Sequence, residues 1–217
     1  MPTTRAGADG FRPGGQRFGR DEAPLQTEIG SRKSSPPMTR LVAFLKGINV
    51  GGHHIVAMER LKGIFEGLGF KDVSTYKQSG NVVFDAGRLG PEAARKRVEG
   101  ALSRELGYEV AVFVRTTADL AAIVRSAPKI AESEVLTFLV TLLPEPLNRF
   151  PLRLPMTIPK SSAELLAAEG AQVYSVTRGG GDSALPNPFL EAKLGLKATT
   201  RNINVIREIV ERFGAGA

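Results

Sequence analysis

The stretch KGINVGGHH, Lys46 to His54, closes a short apolar run with a cation, an asparagine, paired glycines and the chain's two histidines. Glycines allow backbone N–H groups to turn toward an anion, as in phosphate-binding turns. Asn49 can donate and accept hydrogen bonds, and Lys46 supplies a point charge. A second polar stretch, QSGN, places Ser79, Gly80 and Asn81 between two apolar runs. In a third, TTRN, Arg201 stands just before Asn202, a residue type that caps helices beside outward-pointing backbone donors. The chemistry these residues suit is the binding of a small anionic, phosphate-bearing ligand. The candidate contacts are Lys46, Asn49, Gly51, Gly52, His53, Ser79, Asn81, Arg201 and Asn202.

Bond-breaking chemistry has less support. No carboxylate pair or acid–base couple accompanies these stretches, so no catalytic residue is assigned and enzymatic activity is left open. His53 and His54 do not read as a metal site. Neighbours in an extended segment point to opposite sides, and a chain with no cysteine would need distant carboxylates to complete the set. No metal and no cofactor is expected. TRGGGDS, Thr177 to Ser183, is glycine-rich but lacks the Lys-Ser/Thr ending of a P-loop and the spacing of a dinucleotide fingerprint; it reads as a flexible loop. A structural reading stands beside the ligand reading throughout. Gly51-Gly52 and Ser79-Gly80 also suit plain turns, Asn49 and Asn81 suit loop-backbone bonds, and Arg201 suits a salt bridge or a clamp on carbonyls.

The composition sets the frame for these residues. The chain has 217 residues, 42% of them hydrophobic, which suffices for one large domain or two small ones. No apolar run approaches the length of a membrane span, so a soluble chain with no membrane partner is expected. The lack of cysteine fits a reducing cytoplasm. Of the net charge of +7, six basic and four acidic residues before Met38 contribute +2, leaving +5 dispersed over the remainder. No Lys/Arg run tracks a phosphate backbone, so nucleic acid is the less favoured partner. Residues 1–37 are rich in Gly, Pro, Arg and Ser without hydrophobic periodicity and are expected to be a disordered tail, with Met38 a candidate start.

From Leu41 the elements that must position the polar stretches follow regularly. LVAFLKGI reads as a strand and MERLKGIFEGL as an amphipathic helix; DVSTYKQ and NVVFDA read as strands joined by a tight turn at Ser79-Gly80. PEAARKRVEGALSREL is a helix entered at Pro91, and VAVFV a further strand. The order β-α-β-β-α-β predicts a ferredoxin-like domain over residues 38–115, followed by a smaller α+β domain over 116–217. In that second part Thr116 and Asp119 form a capping-box pattern and VLTFLVTLL is a buried strand. Five prolines between 144 and 159 leave that segment unassigned. AELLAAEGAQVYSV allows a helix then a strand, which propensity prefers, or a hairpin at Glu169-Gly170. NPFLEAKLG, with Asn187 as N-cap, and INVIREIVERF, capped by Asn202, read as helices.

Three stretches, FLKGINVGGHH, GFKDVSTYKQSGNVVF and KLGLKATTRNINVI, resemble the signatures of the bacterial proteins called domain of unknown function 1697. The likeness extends from about Met38 to the C-terminus. This sequence departs from the family at Lys46, where Arg is usual, at Lys77, where an apolar residue is usual, and at Ile203, where Trp is usual. The resemblance implies an α+β fold with a ferredoxin-like first half and favours the hairpin reading of AELLAAEGAQVYSV. It implies no catalytic residue, cofactor or substrate.

In a ferredoxin-like sheet the end of the first strand lies beside the start of the third, so the Gly47–His54 loop and the Gln78–Asn81 turn should meet. Two other readings keep their place: a nucleic-acid-binding module of RNA-recognition-like topology, and a non-catalytic assembly protein whose sheet is its interface. The first would need Phe44, Phe84 and Phe113 as exposed stacking rings. LVAFL, NVVF and VAVFV are instead apolar at consecutive positions, which predicts burial of both sheet faces, by the second half or by a second subunit.

Overall fold

The computed structural model describes residues 40–49, 55–130, 136–178 and 185–214, and these belong to one compact unit, Ser35–Ala217. The tail before Met38, Gly51, Gly52, His53, His54 and most of the glycine-rich 177–183 stretch lie outside the described residues. The described chain is mixed α and β. Its first part runs β1 (Arg40–Leu45), α1 (Met58–Gly67), β2 (Lys71–Tyr76), β3 (Asn81–Asp85), α2 (Pro91–Leu106) and β4 (Val112–Thr116). Its second part runs α3 (Thr117–Ser126), β5 (Thr137–Leu142), β6 (Met156–Thr157), β7 (Ala163–Glu169), β8 (Gln172–Thr177), α4 (Asn187–Leu194), β9 (Thr199–Asn202) and α5 (Ile203–Phe213).

Two antiparallel sheets result, in the orders β2-β3-β1-β4 and β6-β7-β8-β5-β9. With β6 set aside, the second sheet repeats the first: its third strand (β8) neighbours its first (β5), and its fourth (β9) pairs with the first on the other side. A helix links the third and fourth strands in both halves (α2, α4), and a further helix follows the fourth (α3, α5). The two halves differ between first and second strands. There the first half has α1, whereas the second has the proline-punctuated stretch 144–162 with the two residues of β6.

Strand alternation divides each sheet between two cores. Leu41, Ala43, Leu45, Val82 and Phe84 pack beneath α1 and α2 with Leu61, Phe65, Val98 and Leu102. Val42, Phe44, Val83 and Phe113 face the other way, against Leu120 and Ile123 of α3, Ile203, Ile206 and Ile209 of α5, and Val140, Leu142 and Tyr174 of the second sheet. The far face of the second sheet packs on Leu190 of α4 and on Phe150, Leu152, Leu154 and Ile158 of the proline-rich segment. Both faces of the first sheet are therefore covered by this same chain. Phe44, Phe84 and Phe113 are at most 2% exposed. Phe84 lies on the helix side, 4.7 Å from the ring of Phe70, so it does not belong to the face that would have carried stacked bases.

One open pair of readings is decided, two local expectations need correction, and one strand was not foreseen. AELLAAEGAQVYSV forms the β7–β8 hairpin, although its Ala, Glu and Leu favour helix; pairing of β8 with β5 and burial of Val173, Tyr174 and Val176 outweigh propensity. The β2–β3 connection is a four-residue turn, Lys77 to Gly80, rather than a two-residue one, with positive φ at Lys77 (52°) and Gly80 (68°). α4 starts one residue early, with Pro186 at the cap and Asn187 already helical. The TTRN stretch is a strand, β9, that the sequence did not show, because four mostly polar residues carry no alternation. The capping box of Thr116 and Asp119 forms as expected.

Candidate functional site

The end of β1 and the β2–β3 turn meet. Phe44 is paired with Asn81, and the Leu45 N–H donates to the Gly80 carbonyl at 2.8 Å. Gly80 is required there on two counts: its φ is +68°, and a Cβ would stand 3.1 Å from that of Leu45. Beyond β1, Ile48 turns inward and is buried, while Asn49 takes a left-handed φ of 57°. The Asn49 amide then closes the loop at its base. Its Oδ1 accepts from the Val56 N–H at 2.8 Å, and its Nδ2 donates to the carbonyls of Val56 (3.1 Å) and Gln78 (3.0 Å). One side chain thus holds both ends of the 49–56 loop and fastens it to the turn.

Arg201 enters the same place from the second half. Its Nε donates to Asn81 Oδ1 at 2.7 Å. One terminal nitrogen donates to Thr199 Oγ1 and the Thr200 carbonyl, the other to the carbonyls of Leu45 (2.9 Å) and Ser79 (3.0 Å). All five N–H groups are engaged, and the guanidinium stands 5.5 Å from the Phe44 ring centre. Burial pushes its pKa down to about 10, so it keeps its charge at neutral pH without a carboxylate partner. Asn81, fully buried, divides its amide between this guanidinium and the turn, donating to the Tyr76 carbonyl and to Ser79 Oγ. Lys46 pairs with Glu191 of α4, whose carboxylate also accepts from the Ala198 N–H. Asn202 caps α5 by accepting from the Asn204 N–H, and borders a separate hollow with Arg125 and Arg207.

Lys46, Asn49, Ser79, Asn81 and Arg201 therefore share one end of the first sheet, Asn202 stands apart, and Gly51, Gly52 and His53 fall outside the described residues. Beside this end is a hollow of about 350 Å³ between Asn49, Gln78 and the start of α1 (Ile55 to Met58). Among the described residues no side chain caps α1, whose first-turn N–H groups lack intrahelical partners.

Sequence reasoning passed over two contributors. Glu191 holds Lys46 from 145 positions away, and no local pattern points to it. Arg115 did have a signal: like Arg201 it is a lone arginine ending a strand, one residue before a helix cap. Its terminal nitrogens donate to the carbonyls of Val114, Leu143 and Ala171.

No curated protein matches the chain. The conserved bacterial protein SP0830 from Streptococcus pneumoniae is similar in solved structure, with a TM-score of 0.61 at 18% identity, covering 80% of this chain and 97% of that one. That likeness concerns the fold. The model of the family described as a protein of unknown function (DUF1697) matches residues 38–174, well over half of the sequence, and the chain belongs to that family.

Proposed function

We propose that the protein binds a small anionic, phosphate-bearing molecule at the end of the first sheet, between the β1–α1 loop and the β2–β3 turn. The observation that supports this reading is the hollow at the start of α1, where uncapped backbone donors and the positive end of the helix dipole border open space beside Asn49 and Gln78. Gly51, Gly52 and His53 are the expected loop contacts. Asn49, Asn81 and Arg201 serve as the frame, since their polar atoms are already held by the protein. Lys46 would reach the ligand only by sharing or leaving Glu191.

The first six elements are read as a ferredoxin-like unit of residues 38–115, with 116–217 as the second α+β domain; the strand order β2-β3-β1-β4 supports this. A cytoplasmic setting is favoured by the absence of cysteine. Among the described residues no helix is long and apolar enough to cross a membrane. Stacking of RNA on the first sheet is disfavoured, because Phe44 and Phe113 lie in the interior.

The test is titration of the ¹⁵N-labelled protein with inorganic phosphate and with a nucleoside monophosphate. Saturable shifts confined to the amides of Asn49, Gln78 and Met58–Arg60 are expected. Glu59→Gln, which removes a carboxylate from the first turn of α1, should tighten binding. Shifts scattered over the surface, or none at these amides, would sink the reading.

A further inference from the structure

The repeated strand order places Arg115 and Arg201 in equivalent positions. Val42 pairs with Arg115 and Val140 with Arg201, and in both halves the next residue caps the helix that follows. Their targets correspond as well. Arg201 reaches the Leu45 carbonyl at the end of β1, and Arg115 reaches the Leu143 carbonyl just past β5, at 2.6 Å. Leu45 and Leu143 each donate into the hairpin turn of their own half, to Gly80 and Ala171. The correspondence ends at one bond. Opposite Phe44 stands Asn81, which takes the Nε proton of Arg201; opposite Leu142 stands Gln172, and no hydrogen bond joins it to Arg115. Arg115 makes three donor bonds where Arg201 makes five, leaving its Nε–H and one terminal N–H without a protein acceptor among the described residues.

Arg115 and Gln172 both line a cleft of about 440 Å³ at the junction of the two halves. Burial lowers the pKa of Arg115, and Asp119 offsets this only in part, so the cation is short of negative charge. The other cation of the cleft, Arg95, is held by Glu92 and Glu99. Much of the remaining wall is apolar, including Pro91, Pro144, Pro146 and Ile123. Glu92 and Asp119 also line the cleft, and their negative charge opposes entry of a dianion.

We infer that this cleft is a binding site for a small monocarboxylate with an apolar body, whose carboxylate occupies on Arg115 the place that Asn81 fills on Arg201. The site is separate from the hollow at α1.

The test uses the full chain, ¹⁵N-labelled, titrated with acetate, butyrate, hexanoate and benzoate, and with inorganic phosphate as the contrasting anion. Expected are saturable shifts at the amides of Arg115, Ala122 and Gln172, with affinity rising with the apolar length of the acid. Gln172→Glu places a carboxylate inside the cleft next to Arg115 and keeps the arginine, so the variant should remain folded. In it hexanoate binding should fall roughly tenfold or more, the loss of one charge-assisted hydrogen bond. Arg115→Met should do the same where it folds. No shift with any of the acids, unchanged hexanoate binding in Gln172→Glu, or phosphate binding at these amides in preference to hexanoate would overturn the inference. Shifts at Asn49 and Met58 report on the other hollow and leave the two proposals distinguishable.

Discussion

The two arginines that join the halves occupy one structural position and meet different fates. Arg201 is saturated by protein acceptors, and the end of the first sheet that it grips is a closed lattice of Asn81, Ser79, Leu45 and Asn49. Arg115 grips two carbonyls of the second half and has donors to spare beside a cleft. A buried guanidinium without a carboxylate is stable only while its hydrogens are satisfied, since each unmatched donor carries its full desolvation cost. The difference shows how a repeated architecture can use one copy of a residue as a rivet and leave the other available. The change needed is one methylene, Asn81 against Gln172, at the partner position.

The largest effect expected from this asymmetry is on stability. Arg201→Met strands the Leu45 and Ser79 carbonyls and Asn81 Oδ1, and should cost about 3–5 kcal/mol. Arg115→Met, with three donor bonds to lose rather than five, should cost about 1–2 kcal/mol. Urea unfolding of both variants checks this, and equal losses would break the comparison. Next in size is the partner position itself. Asn81→Ala removes an acceptor from Arg201 and a donor from the Tyr76 carbonyl in a fully buried site, for about 2–3 kcal/mol. Gln172→Ala, which removes a side-chain hydrogen bond to the Tyr174 hydroxyl but no bond to an arginine, should cost about 1 kcal/mol.

The turns should rank in the same way. Gly80→Ala meets both a left-handed backbone and the Leu45 Cβ at 3.1 Å, while Gly170→Ala meets the backbone problem, at φ +55°, with nothing nearer than Gln172 Oε1 at 3.7 Å. About 2 kcal/mol against about 1 kcal/mol is expected by thermal unfolding.

Much of the fold was legible where periodicity and punctuation agree. The first six elements, the capping box at Thr116 and the meeting of the β1 loop with the β2–β3 turn all follow from apolar runs, Gly/Pro placement and strand order. Burial of both faces of the first sheet was legible too, in the consecutive apolar residues of LVAFL and VAVFV. The β7–β8 hairpin was not legible in its own residues, which prefer helix locally; the family resemblance favoured it, and pairing with β5 decides the matter. At the candidate site the residue types were visible but their commitments were not. Nothing near Lys46 in sequence announces Glu191, and nothing in TTRN says that Arg201 spends every hydrogen on the other half. Such long-range polar bonds carry no periodic signal. The repeated placement of arginine before a cap, in VRT and TRN, was a usable clue to the duplicated joint.

The smallest effect concerns a contact that exists on one side of the joint alone. Glu208 of α5 reaches back to the turn of the first half, pairing with Lys77 at 2.7 Å and accepting from the Tyr76 hydroxyl. Among the described residues no ion pair ties α3 to the β7–β8 turn in return. The hydrogen bond from Lys77, then that from Tyr76, lowers the Glu208 pKa below its ordinary 4.5. A carboxyl group whose folded pKa is depressed binds protons more readily when unfolded, so its contribution is present above about pH 4.5 and fades as pH falls through the folded value. The same contact raises the Tyr76 and Lys77 pKa values, so their share is present at neutral pH and is lost in strong alkali. The groups are exposed, so the whole effect is modest and weakens with salt. Glu208→Gln should therefore leave stability at acid pH nearly unchanged while lowering it slightly at neutral pH, flattening the acid limb of the stability curve. Parallel acid limbs in variant and parent, by urea unfolding at a series of pH values in low salt, would show that α5 meets the turn without this charge.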